Sequence, residues 1–106
     1  MAAVVVVATF RVKSGHEAEG EAVLRRVIEQ THAHEPGCRL YALHRALDDP
    51  TRFVVVEKWD SREDLDAHFS QPYMGEIAAA SDLLAEPPSV WFTEPIEAGE
   101  PDKGAV

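Results

Sequence analysis

Cysteine is almost absent from this chain. Cys38 is the only one in 106 residues, so an intramolecular disulfide is excluded and a cysteine-based zinc site lacks its ligands. A lone thiol fits a reducing, cytoplasmic setting. Positive charge is scarce as well. Ten Lys and Arg stand against nineteen Asp and Glu, a net charge of −9 that repels a phosphate backbone and an anionic lipid surface. Neither nucleic acid nor a membrane is expected as a partner. Long hydrophobic runs are missing too: the apolar opening MAAVVVVATF has no basic segment ahead of it and meets Arg11 and Lys13 before it could span a bilayer. It reads as a strand, not a signal. There is no G-x-G-x-x-G, no G-x-x-x-x-G-K-[ST] and no G-x-S-x-G, so nucleotide cofactors and serine hydrolysis have no motif to stand on.

What remains is one domain's worth of chain, with room for one core and none for a separate substrate domain. The single domain is expected over residues 1–96, followed by a flexible acidic tail over 97–106 whose composition, EAGEPDKGAV, has too little apolar content to fold alone. Val4 to Val12 is β-branched or small on both alternating faces and predicts a first strand. Ser14 with Glu17 three residues on has the spacing of a capping box, so a helix is expected from about Gly15. Ala18, Val23, Leu24, Val27 and Ile28 recur on one side of it, Glu17, Glu21, Arg25 and Glu29 cover the other, and Pro36 with Gly37 stops it. Cys38 to Leu47 and Arg52 to Trp59 read as a hairpin around the turn residues Asp48 to Thr51.

Ser61 with Asp64 repeats the capping signal and begins a second helix, with Glu63 and Asp64 at its positive end. Pro72 interrupts it, so it breaks and restarts near Tyr73, carrying Met74, Ile77, Leu83 and Leu84 toward the core before Pro87 and Pro88 end it. Val90 to Ile96 is the last strand. The order β-α-β-β-α-β predicts an α+β, ferredoxin-like fold with two helices on one face of a four-stranded antiparallel sheet. Val4 to Val7 and Phe53 to Val56 are apolar on both faces, which leaves an uncovered apolar face of roughly several hundred Å². A second copy, related by a two-fold axis, is the expected cover.

The stretch from Glu35 to Met74 holds the residues with chemistry in them. His68 follows Leu65 by three positions and so shares its inward direction. It is either a core histidine satisfied by a neighbour or a general base. Glu57 interrupts the face Phe53, Val55, Glu57, Trp59, where a carboxylate must be paired, hydrogen-bonded or beside a cavity. It could orient His68 or a substrate hydroxyl, or close a strand-end salt bridge. Trp59 shares that face and Tyr41 lies on the neighbouring strand, so the two could wall a pocket or simply pack. Tyr73, just past the Pro72 break, is placed for the lip of such a pocket, and Arg45 and His44 either flank its opening or, as is commoner, are solvated strand-end charges. His32, His34 and Glu35 look like metal ligands, but i, i+2 spacing turns the two imidazoles to different helix faces and no metal is expected. Cys38 is expected to be a packed thiol.

The stretches VKSGHE, EPGCRLYAL, DPTRFVVVEKWDS and LDAHFSQPYM, in that order over roughly residues 4 to 96, resemble the antibiotic biosynthesis monooxygenase family, including its small quinol monooxygenases. The resemblance implies the dimeric α+β barrel arrangement: homodimers joined through their sheet faces, with a pocket between sheet and helices in each subunit. It also implies oxidation of phenols or quinols by dioxygen without metal, flavin or other cofactor. It points to Glu57 and Trp59, to His68 and to Tyr41. With the reading of the residues, His68, Glu57 and Tyr41 are expected to be catalytic, and Trp59, Phe69, Tyr73 and Arg45 to bind substrate. Two departures stand out. Many relatives carry a second histidine where this chain has Tyr73, and haem-degrading relatives carry an asparagine where it has Ala8 and Thr9, which disfavours haem breakdown.

The function expected is a cofactor-independent monooxygenase acting on a phenolic or hydroquinone-type aromatic, with dioxygen as co-substrate. Its alternatives are an isomerase or proton-transfer enzyme using the same base without oxygen, and a non-catalytic dimer that binds a small aromatic ligand.

Overall fold

The computed structural model describes residues 3–106; Met1 and Ala2, counted in the expected domain, lie outside the described residues. The elements follow the expected order: β1 (Val4–Arg11), α1 (Glu17–His34), β2 (Cys38–Arg45), β3 (Arg52–Trp59), α2 (Arg62–Phe69), α3 (Gly75–Ala79) and β4 (Ser89–Thr93). The four strands form one antiparallel sheet in the order β2-β3-β1-β4.

Local chemistry explains most boundaries. Ser61 caps α2, its hydroxyl accepting from the Asp64 amide at 3.2 Å, as the spacing predicts. Asp49 closes the hairpin by accepting from both the Thr51 amide, at 3.0 Å, and its hydroxyl, at 2.6 Å. Pro72 divides the second helical segment as expected, and a 3-10 turn over Pro72–Met74 bridges α2 to α3. The first helix departs from expectation at its start. His16, not Ser14, is its N-cap and no side chain caps it. Glu17 does reach back, but to the amide of Gly15 at 2.6 Å, and Gly15 has the positive φ of 91° that a residue with a Cβ resists.

The core lies between the helices and one sheet face, where Val6, Ala8, Phe10, Phe53, Val55, Trp59, Leu24 and Leu65 are buried. Cross-strand register lays Tyr41, Glu57, Val6 and Phe92 in one row across that face. The opposite row runs Ala42, Val56, Val7 and Trp91. Among the described residues no helix lies on that second face, and Trp91 is 66% exposed there. The strand ends short of the expected Ile96, which is itself exposed.

Candidate active site

Four elements converge on His68. It sits in the last turn of α2, one helical step from Leu65, and both are buried. The ring centroid lies 4.6 Å from that of Trp59, at the end of β3, 5.4 Å from that of Tyr41 on β2, and 5.6 Å from that of Phe69. Tyr41 and Trp59 also meet edge-on at 6.4 Å. These are aromatic contacts of ordinary separation, and they hold the imidazole from three sides.

Its polar partner comes from a place the residue pattern did not suggest. His68 Nδ1 is 2.9 Å from Glu35 Oε2, and both side chains are buried. Glu35 is the C-cap of α1, its amide donating to Thr31 O at 3.0 Å, and its backbone is already extended, so the carboxyl turns inward as the chain leaves through Pro36 and Gly37. The same Oε2 accepts a short hydrogen bond from the Tyr73 hydroxyl. The expected metal-like run is thereby split: His32 Nε2 pairs with Tyr41 O and His34 Nδ1 with Gln30 O, while Glu35 alone enters the core. A carboxylate at a helix C-terminus is unfavourable with the macrodipole. That misplacement is the one signal in the sequence that could have singled Glu35 out.

Glu57, read from the sequence as a possible orienter of His68, takes a different partner. Its Oε1 accepts from Trp59 Nε1 at 3.0 Å, and Glu35 occupies the position beside the imidazole. Burial pushes the Glu57 carboxyl up from 4.5 to about 7, against the Trp59 hydrogen bond and with help from the negative charge of Glu35. At neutral pH a substantial part of it is protonated, and in that form it is a neutral donor beside Tyr41. Burial first, and Glu57 second, hold the Tyr41 phenol well above its ordinary range, so it acts as a hydrogen-bonding wall and not as a base. Burial and the bond to Glu35 raise Tyr73 likewise. The Cys38 thiol is pushed up to about 11, mainly by burial and then by the two carboxylates, which removes it as a nucleophile near neutrality.

The structure thus gathers His68, Tyr41, Trp59 and Phe69 in direct contact, with Tyr73 joined through Glu35 and Glu57 through Trp59. Arg45 stands apart. It lies at the far end of β2, ion-paired with Glu21 and set 5.2 Å over the Phe53 ring, so it does not line the space around His68. Phe92, absent from the sequence-based candidates, lies 5.9 Å from Phe69 across the gap between β4 and α2.

A small α+β domain with a buried histidine-carboxylate pair walled by aromatics is a recognisable class, and comparison with known proteins assigns it. The chain belongs to the antibiotic biosynthesis monooxygenase family, whose profile matches residues 3–80. A solved structure from Caulobacter crescentus CB15, named for the same family, shares 29% identity over 91% of this chain and 92% of its own, with a TM-score of 0.85. One from Nitrosomonas europaea, also named for the family, shares 28% over 88% and 89%, with a TM-score of 0.82. Rv0793 from Mycobacterium tuberculosis is similar at 30% over 93% and 100%, with a TM-score of 0.83. No curated protein matches the chain. Monooxygenase-like oxidoreductase chemistry is the class of function these relationships support. Among the described residues no helix is long and apolar enough to cross a membrane.

Proposed function

We propose that this protein is a monooxygenase that oxidises a phenolic or hydroquinone-type small molecule with dioxygen, with no metal or organic cofactor taking part. The observation that carries the reading is the buried His68–Glu35 pair enclosed by Tyr41, Trp59 and Phe69. A carboxylate can only accept, so Nδ1 is the donor and the lone pair lies on Nε2. Nε2 takes the phenolic proton, and Glu35 stabilises the imidazolium that forms, as a carboxylate does behind a catalytic histidine.

The electron balance needs no further reductant. A phenol plus dioxygen gives a quinone plus water: one oxygen atom is inserted, the other leaves as water, and the substrate supplies all four electrons. The phenolate donates the first electron to triplet dioxygen and the two radicals recombine at carbon. His68 returns its proton to the distal oxygen, and as the O–O bond breaks the hydrogen on the same carbon leaves as a proton, so that the carbonyl forms and the departing hydroxide becomes water. Trp59 and Phe69 face the substrate ring, and the Tyr41 hydroxyl bonds its oxygen. The absence of nucleotide-binding motifs from the sequence agrees with a cofactor-free route.

The working unit in this reading is a homodimer joined through the open sheet face, whose apolar row of Ala42, Val56, Val7 and Trp91 has no helix over it among the described residues. The test is oxygen uptake by chelator-treated protein across a panel of hydroquinones and polyphenols. Stoichiometric uptake with quinone formation is expected. Turnover that persists without oxygen would replace the reading with an isomerase, and saturable binding without turnover would replace it with a carrier.

A further inference from the structure

His68 is 1% exposed, so a ligand reaches it only by parting the side chains around it. Trp59 and Tyr41 are themselves buried. Phe69 is not: it is 48% exposed, and its ring touches His68 on one side and Phe92 on the other. Phe92 pairs with Val6 and meets Phe69 and Arg62 of α2, which puts it on the helix-covered side of the sheet, yet 46% of it is exposed. Val90, two residues away on the same side, is 42% exposed. The helical layer therefore stops short of β4 and leaves an exposed apolar strip there, with Phe92 at its edge and Phe69 between it and the imidazole. A surface pocket of about 120 Å³ on the other side of α2 is lined by Glu35, Trp59, Ala67 and Gln71 among others. It reaches the carboxylate of the pair and the indole, but its lining does not include His68.

Arg62 is the cation beside this strip. It is the only lysine or arginine in α2, and its guanidinium lies 5.0 Å over the Phe92 ring, with Asp66 sharing it at 3.1 Å. Across a chain of net charge −9, an anion is repelled at long range, so a local cation at the rim decides whether one can settle. We propose that Phe69 and Phe92 form the entrance to His68 and that it admits a planar aromatic anion, whose ring takes over the Phe69–Phe92 edge contact while its charge meets Arg62. Phe92 and Arg62 are then specificity-determining residues. The inference rests on His68 as the centre of the site, and not on what reaction occurs there.

The test uses two probes of one ring system, 1-anilinonaphthalene-8-sulfonate and its uncharged parent N-phenyl-1-naphthylamine, followed by fluorescence and by the NMR signals of the His68 ring. Both are expected to bind the full-length protein and move the His68 signals. Arg62→Gln should weaken the sulfonate by about tenfold and leave the parent unchanged, as loss of one charge-assisted contact does. Phe92→Ala should weaken both by about three- to tenfold, and Phe92→Leu, which keeps the apolar volume, should show the same direction if the alanine variant folds poorly. Shifts confined to Trp91 on the open sheet face, or to Ala67 and Gln71, would overturn the proposal, as would an unchanged ratio of the two affinities in Arg62→Gln. Because no turnover is measured, failure of hydroquinone oxidation would leave this result standing, and the reverse holds too.

Discussion

His68 and Glu35 lie thirty-three positions apart in the chain and meet at 2.9 Å in the core, each supplying what the other lacks. The carboxylate fixes which imidazole nitrogen holds the proton, and the imidazole gives a buried carboxylate the donor it requires. Tyr73 adds a second donor to the same oxygen. Everything expected of the site depends on this pair.

Replacing His68 tests the base directly. His68→Gln keeps a planar polar group near Glu35 but cannot take up a proton near neutrality, so turnover is expected to fall by about a hundredfold or more. Thermal stability should change little. If instead both His68→Gln and His68→Ala cost about 1–3 kcal/mol with turnover per folded molecule unchanged, His68 is a packing residue only.

Glu35→Gln separates orientation from charge. The amide oxygen still accepts from Nδ1, but the imidazolium loses its counter-charge, so turnover should drop by about ten- to a hundredfold with little change in stability. Glu35→Ala strands both the His68 and the Tyr73 donors and should cost about 1–3 kcal/mol in denaturant unfolding as well. Turnover per folded molecule of Glu35→Gln equal to the parent's would show that Glu35 only fills space.

Glu57 predicts a pH dependence of stability with a definite sign. Its carboxyl is held at about 7 in the fold against an ordinary 4.5, so between those values the folded chain binds more protons than the unfolded one and stability falls as pH rises. The loss is expected between about pH 4.5 and 7 and amounts to on the order of 2–3 kcal/mol. Glu57→Gln keeps an acceptor for the Trp59 indole and should flatten that decline. Urea unfolding across the range reads it out.

Gly37 couples the Glu35 turn to the helix that carries His68. A Cβ at this position would lie 2.6 Å from Asp64 Oδ2, the oxygen that accepts from the Ser61 hydroxyl at 3.0 Å. Gly37→Ala must therefore displace the capping pair of α2 or push the Glu35 turn away. A destabilisation of about 1–3 kcal/mol is expected, with a loss of turnover larger than the unfolded fraction explains.

The open sheet face predicts association. At micromolar concentration light scattering should give the mass of two chains, and Trp91→Asp or Val56→Asp should return it to one, since a charge at the centre of an apolar contact is costly to bury. A parent protein of single-chain mass would contradict the dimer without touching the chemistry of His68.

Periodicity and turn chemistry are short-range properties, and they determined the architecture of this protein from the sequence alone. The alternation from Val4 and from Arg52, the Ser61–Asp64 cap, the Asp48–Thr51 turn and the Pro72 break each act within a few residues, and β1, α1, β2, β3 and the start of α2 stand within a residue or two of their expected places, while α3 ends at Ala79 and β4 at Thr93, short of the expected Pro87 and Ile96. The inward face of Leu65 and His68 was legible for the same reason, as was the shared face of Glu57 and Trp59. Where a local rule was satisfiable in two ways it misled: Ser14 has the spacing of a cap, but Glu17 bonds the Gly15 amide and the helix begins later. What only tertiary structure decided is who meets whom. Glu35 and not Glu57 pairs with His68 because the end of α1 is carried over the end of α2, a placement set by packing across the whole sheet. Arg45 shares a strand with Tyr41 yet points into a different neighbourhood four residues along. Phe92 enters the site because β4 lies beside β1, a pairing that no local pattern encodes.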